Sequence, residues 1–293
     1  MSAAPLSPNT PAAAELDAWQ QALEAQLRAH ARLAVAYSGG VDSAYLAWAA
    51  HQVLGERMLA VIADSPSLPR THLRDAIAFA EDLGIPLRVV STREMDEPAY
   101  VRNDGARCFH CKDELFRVMD TLASELGGVT LAYGRNRDDA GDFRPGQRAA
   151  DQHGAIAPLA DAGLGKREIR ALAHAAGLAV WNKPASACLS SRLEYGRPVT
   201  LEALHQVEAA EEFLHSLGFA QVRVRHHGAL ARIEIARDEM GDALSMAVLE
   251  RMTAGVRAAG FQYVTLDTEG YRSGSMNDLL PLSALTAGVV REA

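Results

Sequence analysis

The apolar positions of this chain change period several times, and each change marks an element. Leu16, Trp19, Leu23 and Leu27 recur at three- and four-residue spacing, which predicts an amphipathic helix over 13–30. The unbroken run Leu33-Ala-Val-Ala-Tyr37 then reads as a strand buried on both faces. Met58-Leu-Ala-Val-Ile62 repeats that pattern and ends at Asp64-Ser-Pro-Ser67. Helical spacing returns over 70–83 and is closed by Gly84, ahead of strand Leu87-Arg-Val-Val90. A helix over about 112–126 runs into Gly127-Gly128 and strand Val129-Thr-Leu-Ala-Tyr133. Strand and helix signals in alternation predict an α/β fold, a doubly wound parallel sheet with ligands at the strand C-termini. The loop after Tyr37 falls at such an end, as do Asp64, Thr92 and Gly134.

Between 180 and 200 the rhythm stops. Trp181-Asn-Lys-Pro-Ala-Ser-Ala-Cys188-Leu-Ser-Ser-Arg192 is polar, small and aperiodic. Beyond it the pattern predicts a helix over 201–217, strands over 221–225 and 230–235, a helix over about 243–258 and a strand over 263–266. The expected organisation is a leader over 1–12, a first domain over 13–183 and a smaller C-terminal α+β domain over 184–293. The leader lacks a basic start and an apolar core, so it reads as disordered rather than as a signal peptide.

Composition narrows the function classes. With 293 residues, 48% of them apolar, the chain can build one large core or two smaller ones. No apolar stretch is long enough to span a bilayer. Three cysteines do not make a disulfide framework, so the cytoplasm is the expected compartment. The net charge of −8 sets a long-range repulsion against polyanions, which favours a small-molecule substrate over nucleic acid.

The strongest chemical signal is Ser38-Gly-Gly-Val-Asp-Ser43, set between the first strand and a helix. Gly39 and Gly40 let backbone N–H groups approach an anion, and the helix start adds unsatisfied donors. Ser38 and Ser43 offer hydroxyls, and Asp42 can hold Mg²⁺. The lysine of a GxxxxGK[ST] loop is missing, which argues against γ-phosphoryl transfer. The hexapeptide resembles the PP-loop of ATP pyrophosphatases, which implies adenylation of a carbonyl oxygen with release of pyrophosphate. In such enzymes the adenosine lies at a position matched here by Asp64.

Four further groups are candidates. Cys188 sits among Ser186, Ser190, Ser191 and Arg192, neighbours that favour a thiolate, while a small buried core residue is the other reading of a cysteine there. Cys108 and Cys111, in Arg107-Cys-Phe-His-Cys-Lys112, have a spacing that admits a redox pair, half of a metal site or a structural role. Asp138 and Asp139 follow a strand end, where paired carboxylates hold Mg²⁺ or cap a helix. Arg223 and Arg225 share one strand face, as a phosphate clamp or a charge-protected edge would require.

Taken with Lys166-Arg-Glu-Ile-Arg170, Asn182-Lys-Pro-Ala-Ser-Ala-Cys-Leu-Ser-Ser-Arg192, Val224-Arg-His-His-Gly228 and Gly270-Tyr-Arg-Ser-Gly-Ser275, these motifs make the chain resemble the LarE family over nearly its whole length. That family comprises the ATP-dependent sacrificial sulfur transferases of nickel-pincer nucleotide synthesis. The resemblance implies ATP and Mg²⁺, a dicarboxylated pyridinium mononucleotide as substrate, a homo-oligomer, and nickel-pincer pathway proteins as partners. It implies that Cys188 forms a thioester with the adenylated carboxylate and is left as dehydroalanine after Cβ–S cleavage. Glu211, Glu212, Glu234 and Asp242 are then candidates for the base, and Arg192, Arg223 and Arg225 for the substrate phosphate. The alternative is an iron–sulfur thiolase using Cys108, Cys111 and Cys188, as in tRNA thiolases of the 2-thiocytidine type. No second cysteine lies near Cys188, which favours the sacrificial route. An ammonia-dependent synthetase would keep the PP-loop and have no need of Cys188.

Overall fold

A computed structural model describes residues 11–139, 145–184 and 187–272. Most of the leader, the stretch 140–144 and the Ser-Gly-Ser end of the last motif lie outside the described residues. The chain forms two compact units. Among the described residues the first covers 11–64, 70–92, 112–139 and 145–184, and the second covers 65–69, 93–111 and 187–272.

In the first unit β1 (Leu33–Ala36), β2 (Met58–Asp64), β3 (Leu87–Ser91) and β4 (Thr130–Tyr133) make a parallel sheet of order β3-β2-β1-β4. Leu33 is in register with Met58 on one side and Thr130 on the other. With a neighbour on each side and both faces covered, β1 is buried throughout, which is why its sequence reads as an apolar run. Strand order advances from β1 to β3 and then reverses to β4, so right-handed crossovers send the connecting helices to opposite faces. Helix Val41–Leu54 packs on β1 and β2, its alanines permitting close approach. Leu115, Phe116, Met119 and Leu122 of helix Arg107–Glu125 share a core with Ala34, Ala36, Val61, Leu131 and Tyr133. The reversal falls between β1 and β4, and ligand crevices of doubly wound sheets lie at such points.

In the second unit β5 (Val222–His227) and β6 (Leu230–Ile235) form a hairpin turned by Gly228 at φ +71°, and β7 (Tyr263–Leu266) runs parallel to β6. Helices Leu201–Ser216 and Met246–Ala258 start at Thr200 and Ser245, whose hydroxyls accept the N–H groups of Ala203 and Val248. Leu204, Val207, Leu214, Met252 and Val256 pack against Val222, Val224, Ala231, Ile233 and Ile235.

This unit also takes in Ser65–Pro69 and Arg93–Cys111, which a single break near residue 183 would leave with the first domain. The reason is local bonding. Leu189 N–H donates to Ser67 O at 2.8 Å and Val199 N–H to Val101 O at 2.9 Å. Tyr100 buries its ring with Leu189 and Leu193 in the second core.

Candidate active site

At the end of β1 the backbone turns through Gly39 at φ +69°, where an added Cβ would lie 2.6 Å from Ala76 Cβ. Only glycine fits that conformation and space. Ser43 pins the turn. Its hydroxyl donates to Gly40 O at 3.1 Å, accepts the Ser38 N–H at 3.1 Å and lies 3.0 Å from Ser38 Oγ. Gly134, at the end of β4, comes so close that a Cβ there would meet Ser43 N at 2.8 Å. Gly40 opens helix Val41–Leu54 with no side-chain cap, so the helix start presents its N–H groups beside the loop.

Asp42, on the first turn of that helix, accepts both Lys166 Nζ, at 2.8 and 2.9 Å, and Asn136 Nδ2, at 3.2 Å. Lys183 Nζ donates to Gly39 O at 3.1 Å; burial pushes its ammonium below the usual lysine range, with Asp75 opposing. Two cations from distant parts of the chain therefore reach the glycine turn. Asp64 ends β2 and pairs with Arg70. Asp138 and Asp139 serve their own loop. Asp138 accepts the Lys166 N–H at 2.7 Å and so caps helix Lys166–Ala175, and this bond and Arg137 hold its carboxyl below the usual range. Asp139 accepts the Asn136 N–H at 3.1 Å. Of the two readings of this acidic pair, the geometry displays the capping one.

In the second unit Cys188 precedes the short turn Leu189–Arg192 and is held from several sides. Its carbonyl accepts Ser191 Oγ at 2.7 Å, Ser191 N at 3.0 Å and an Arg192 guanidinium nitrogen at 2.9 Å. Leu189 beside it is buried in the core. Sγ lies 3.1 Å from Ser190 Oγ, and Tyr100, itself hydrogen-bonded to Ser67, also bonds Ser190. Crowding by protein atoms pushes the Cys188 thiol up, but the Arg107 guanidinium, the Ser190 hydroxyl and Arg192 outweigh it and hold the thiol below its ordinary value. The residue as a whole is half-buried.

Arg192 and Glu211 are brought together, but not as a phosphate ligand and a base. Arg192 is 1% exposed; it donates to both oxygens of Glu211 at 3.0 and 3.1 Å and to the carbonyls of Ala187 and Cys188. Glu211 also accepts the Val224 N–H at 2.9 Å. The pair anchors the Cys188 turn to helix Leu201–Ser216 and β5, which leaves neither group open to a ligand. Glu234 is fully buried, with Arg225 at 2.7 Å and Arg232 at 3.3 Å. Arg223 and Arg225 do share a face of β5: Arg223 stacks 5.3 Å from the Tyr271 ring centroid, and Arg225 reaches toward Ser191 O at 3.4 Å. Glu212 and Asp242 are exposed.

Sequence reading missed Arg107, Tyr100, Asn136, Lys166 and Lys183 as site residues. The lysines stand in motifs quoted above, but only the fold brings them to the glycine turn. Cys108 and Cys111 form no disulfide, and among the described residues no three His, Cys, Asp or Glu side chains lie close enough to hold a metal ion. No helix among the described residues is long and apolar enough to cross a membrane.

A parallel sheet whose central strand turns through Ser-Gly-Gly-Val-Asp-Ser into a helix defines a PP-loop ATP pyrophosphatase domain. In agreement, the family model described as NAD synthase matches residues 17–108. The chain is 43% identical to an uncharacterized protein of Synechocystis, over 85% of this chain and 93% of that one. It is 36% identical to the pyridinium-3,5-bisthiocarboxylic acid mononucleotide synthase of Lactiplantibacillus plantarum, over 90% of this chain and 95% of the relative. It is 30% identical to the tRNA-specific 2-thiouridylase MnmA of Mycobacterium tuberculosis, over 66% of this chain and 65% of that enzyme. The chain belongs to the LarE family, the PP-loop sulfur transferases that include the pyridinium-3,5-bisthiocarboxylic acid mononucleotide synthase.

Proposed function

We propose that this enzyme uses ATP to adenylate a carboxylate of a dicarboxylated pyridinium mononucleotide and then transfers the sulfur of Cys188 to it. The Gly39–Gly40 turn, the Ser38 and Ser43 hydroxyls and the helix start bind the phosphates, and Asp64 lies toward the adenosine. Lys166 and Lys183 add positive charge where pyrophosphate leaves. A divalent cation suits this donor set, because Mg²⁺ commonly takes one carboxylate along with phosphate oxygens. Asp42 would hold it once Lys166 turns to the phosphates, and it would spread the charge of the departing pyrophosphate.

The thiolate of Cys188 then attacks the acyl-adenylate carbonyl, AMP leaves with the former C–O bonding pair, and a thioester forms. Removal of the Cys188 α-proton drives Cβ–S cleavage, giving a thiocarboxylate and dehydroalanine. Glu212 and Asp242, whose carboxylates are exposed, are the candidate proton acceptors. Arg223 and Arg225 are candidates for the substrate phosphate. The observation that carries this reading is Cys188 itself: a half-buried cysteine, fixed by its own backbone and held toward the thiolate, in a chain with a PP-loop.

The test is a Cys188→Ala chain. It should retain pyridinium-dependent exchange of labelled pyrophosphate into ATP and release no thiocarboxylate. Thiocarboxylate from that variant would overturn the reading, and it would equally exclude a cluster that needs Cys188 as a ligand.

A further inference from the structure

Two buried arginines flank Cys188, and they differ in what neutralises them. Arg192 is saturated by the carboxylate of Glu211. Arg107 is 4% exposed, and among the described residues no carboxylate pairs with it. One of its guanidinium nitrogens donates to Ser190 O at 2.8 Å and to the side-chain carbonyl of Asn103, and the guanidinium carbon lies 5.6 Å from the Tyr195 ring centroid. Asn103 is itself locked. It is fully buried, takes φ +54°, the one positive φ outside glycine among the described residues, and donates to Glu194 O and Arg197 O at 2.9 and 2.8 Å. A strained backbone held by that many bonds marks a position the surroundings enforce. Carbonyl oxygens and an aromatic face hold this guanidinium without neutralising it, so its charge acts on the ionisable groups nearby. Those groups are thiols and phenols, with Cys188 foremost among them.

We propose that Arg107 is a positioning residue for sulfur transfer: locked by Asn103, it fixes the Cys188 turn through the Ser190 carbonyl and takes the Cys188 thiolate as its counter-ion. The inference rests on Cys188 being the sulfur donor. Among the described residues Arg107 makes no hydrogen bond to Sγ; it acts through the Ser190 carbonyl and through its charge. It holds the nucleophile in place and in its charged form until the acyl-adenylate arrives, and it has no part in adenylation.

The experiment is single turnover of the full chain with ATP, Mg²⁺ and the dicarboxylated pyridinium mononucleotide, comparing wild type with Arg107→Met, Arg107→Gln and Arg107→Lys. Pyrophosphate exchange reports adenylation, and thiocarboxylate release reports sulfur transfer. In Arg107→Met exchange should stay within about twofold of wild type while transfer slows roughly a hundredfold, the scale of losing one buried charged donor. Arg107→Gln, which keeps a donor for Ser190 O and drops the charge, should be slowed likewise and covers the case in which the Met variant fails to fold. Arg107→Lys should recover about tenfold of the loss. Wild-type transfer in Arg107→Gln overturns the proposal. So does a parallel fall of exchange and transfer that lysine fails to restore, since that is the signature of a structural role alone. Wild-type product formed with Cys188 intact defeats the sulfur-donor reading itself, and it shows before any variant is compared.

Discussion

The glycine turn of the first unit and the Cys188 turn of the second are built by opposite means. The turn after β1 draws its shape from consecutive residues, with Gly39 forced by φ and by Ala76, and Ser43 bonding back to Ser38 and Gly40. The Cys188 turn is assembled from Ser67, Tyr100, Asn103, Arg107, Glu211 and β5, residues spread over more than half the chain. Phosphate binding needs many weak donors aimed at one place, which a short backbone segment supplies by itself. Holding a nucleophile ready needs a low-dielectric position and a matched charge, which only buried side chains from several elements can provide. The comparison teaches that the two chemical steps should fail separately.

Cys188→Ala sharpens this most. Sulfur transfer should vanish while pyrophosphate exchange survives and stability shifts by less than about 1 kcal/mol, as expected of a half-buried residue; loss of both activities would break the separation. Glu211→Ala strikes the second unit's scaffold. It leaves Arg192 buried and unpaired, at a cost of about 3–5 kcal/mol in chemical denaturation. Gly39→Ala should do the reverse of Cys188→Ala. Left-handed strain of about 1–2 kcal/mol and the clash with Ala76 should remove pyrophosphate exchange at least tenfold, yet leave Cys188 alkylation unchanged. Lys166→Met frees Asp42 and removes one cation from the phosphates, so exchange should fall by roughly tenfold, the scale of one charge-assisted bond.

The smallest effect is on pH. The thiolate reacts, and Arg107 and its neighbours lower the Cys188 value, so thiolate is lost only as pH falls through that lowered value. Alkylation of Cys188 should therefore stay on its plateau to lower pH than a free cysteine peptide, whose value is about 8.5. A profile matching the peptide would remove the charge-matching half of the comparison.

How much was legible follows the same division. β1, β2 and β4 and the helices between the strands were readable because the buried interior of a parallel sheet writes apolar runs between helical spacings, whereas β3, an edge strand with Val89 exposed, was readable only from its short apolar run after Gly84. The ends of β6 and β7 were readable from their flanking turns. Ser38–Ser43 was readable because its chemistry is local. Arg192 was misassigned, since a charged residue beside a reactive cysteine looks the same in sequence whether it faces solvent or lies buried on Glu211. Arg107 was overlooked for the same reason; it stood beside two cysteines that drew the attention, and its partner Ser190 lies 83 positions away. Side-chain burial of a cation is set by tertiary packing, and no period in the sequence encodes it.

The most direct test of the central claim is the intact and peptide mass of the chain after turnover with ATP, Mg²⁺ and the dicarboxylated pyridinium mononucleotide. Loss of one H₂S, mapped to the peptide containing Cys188, is the expected result and means that the residue has become dehydroalanine. An unchanged mass together with a thiolated product would contradict it.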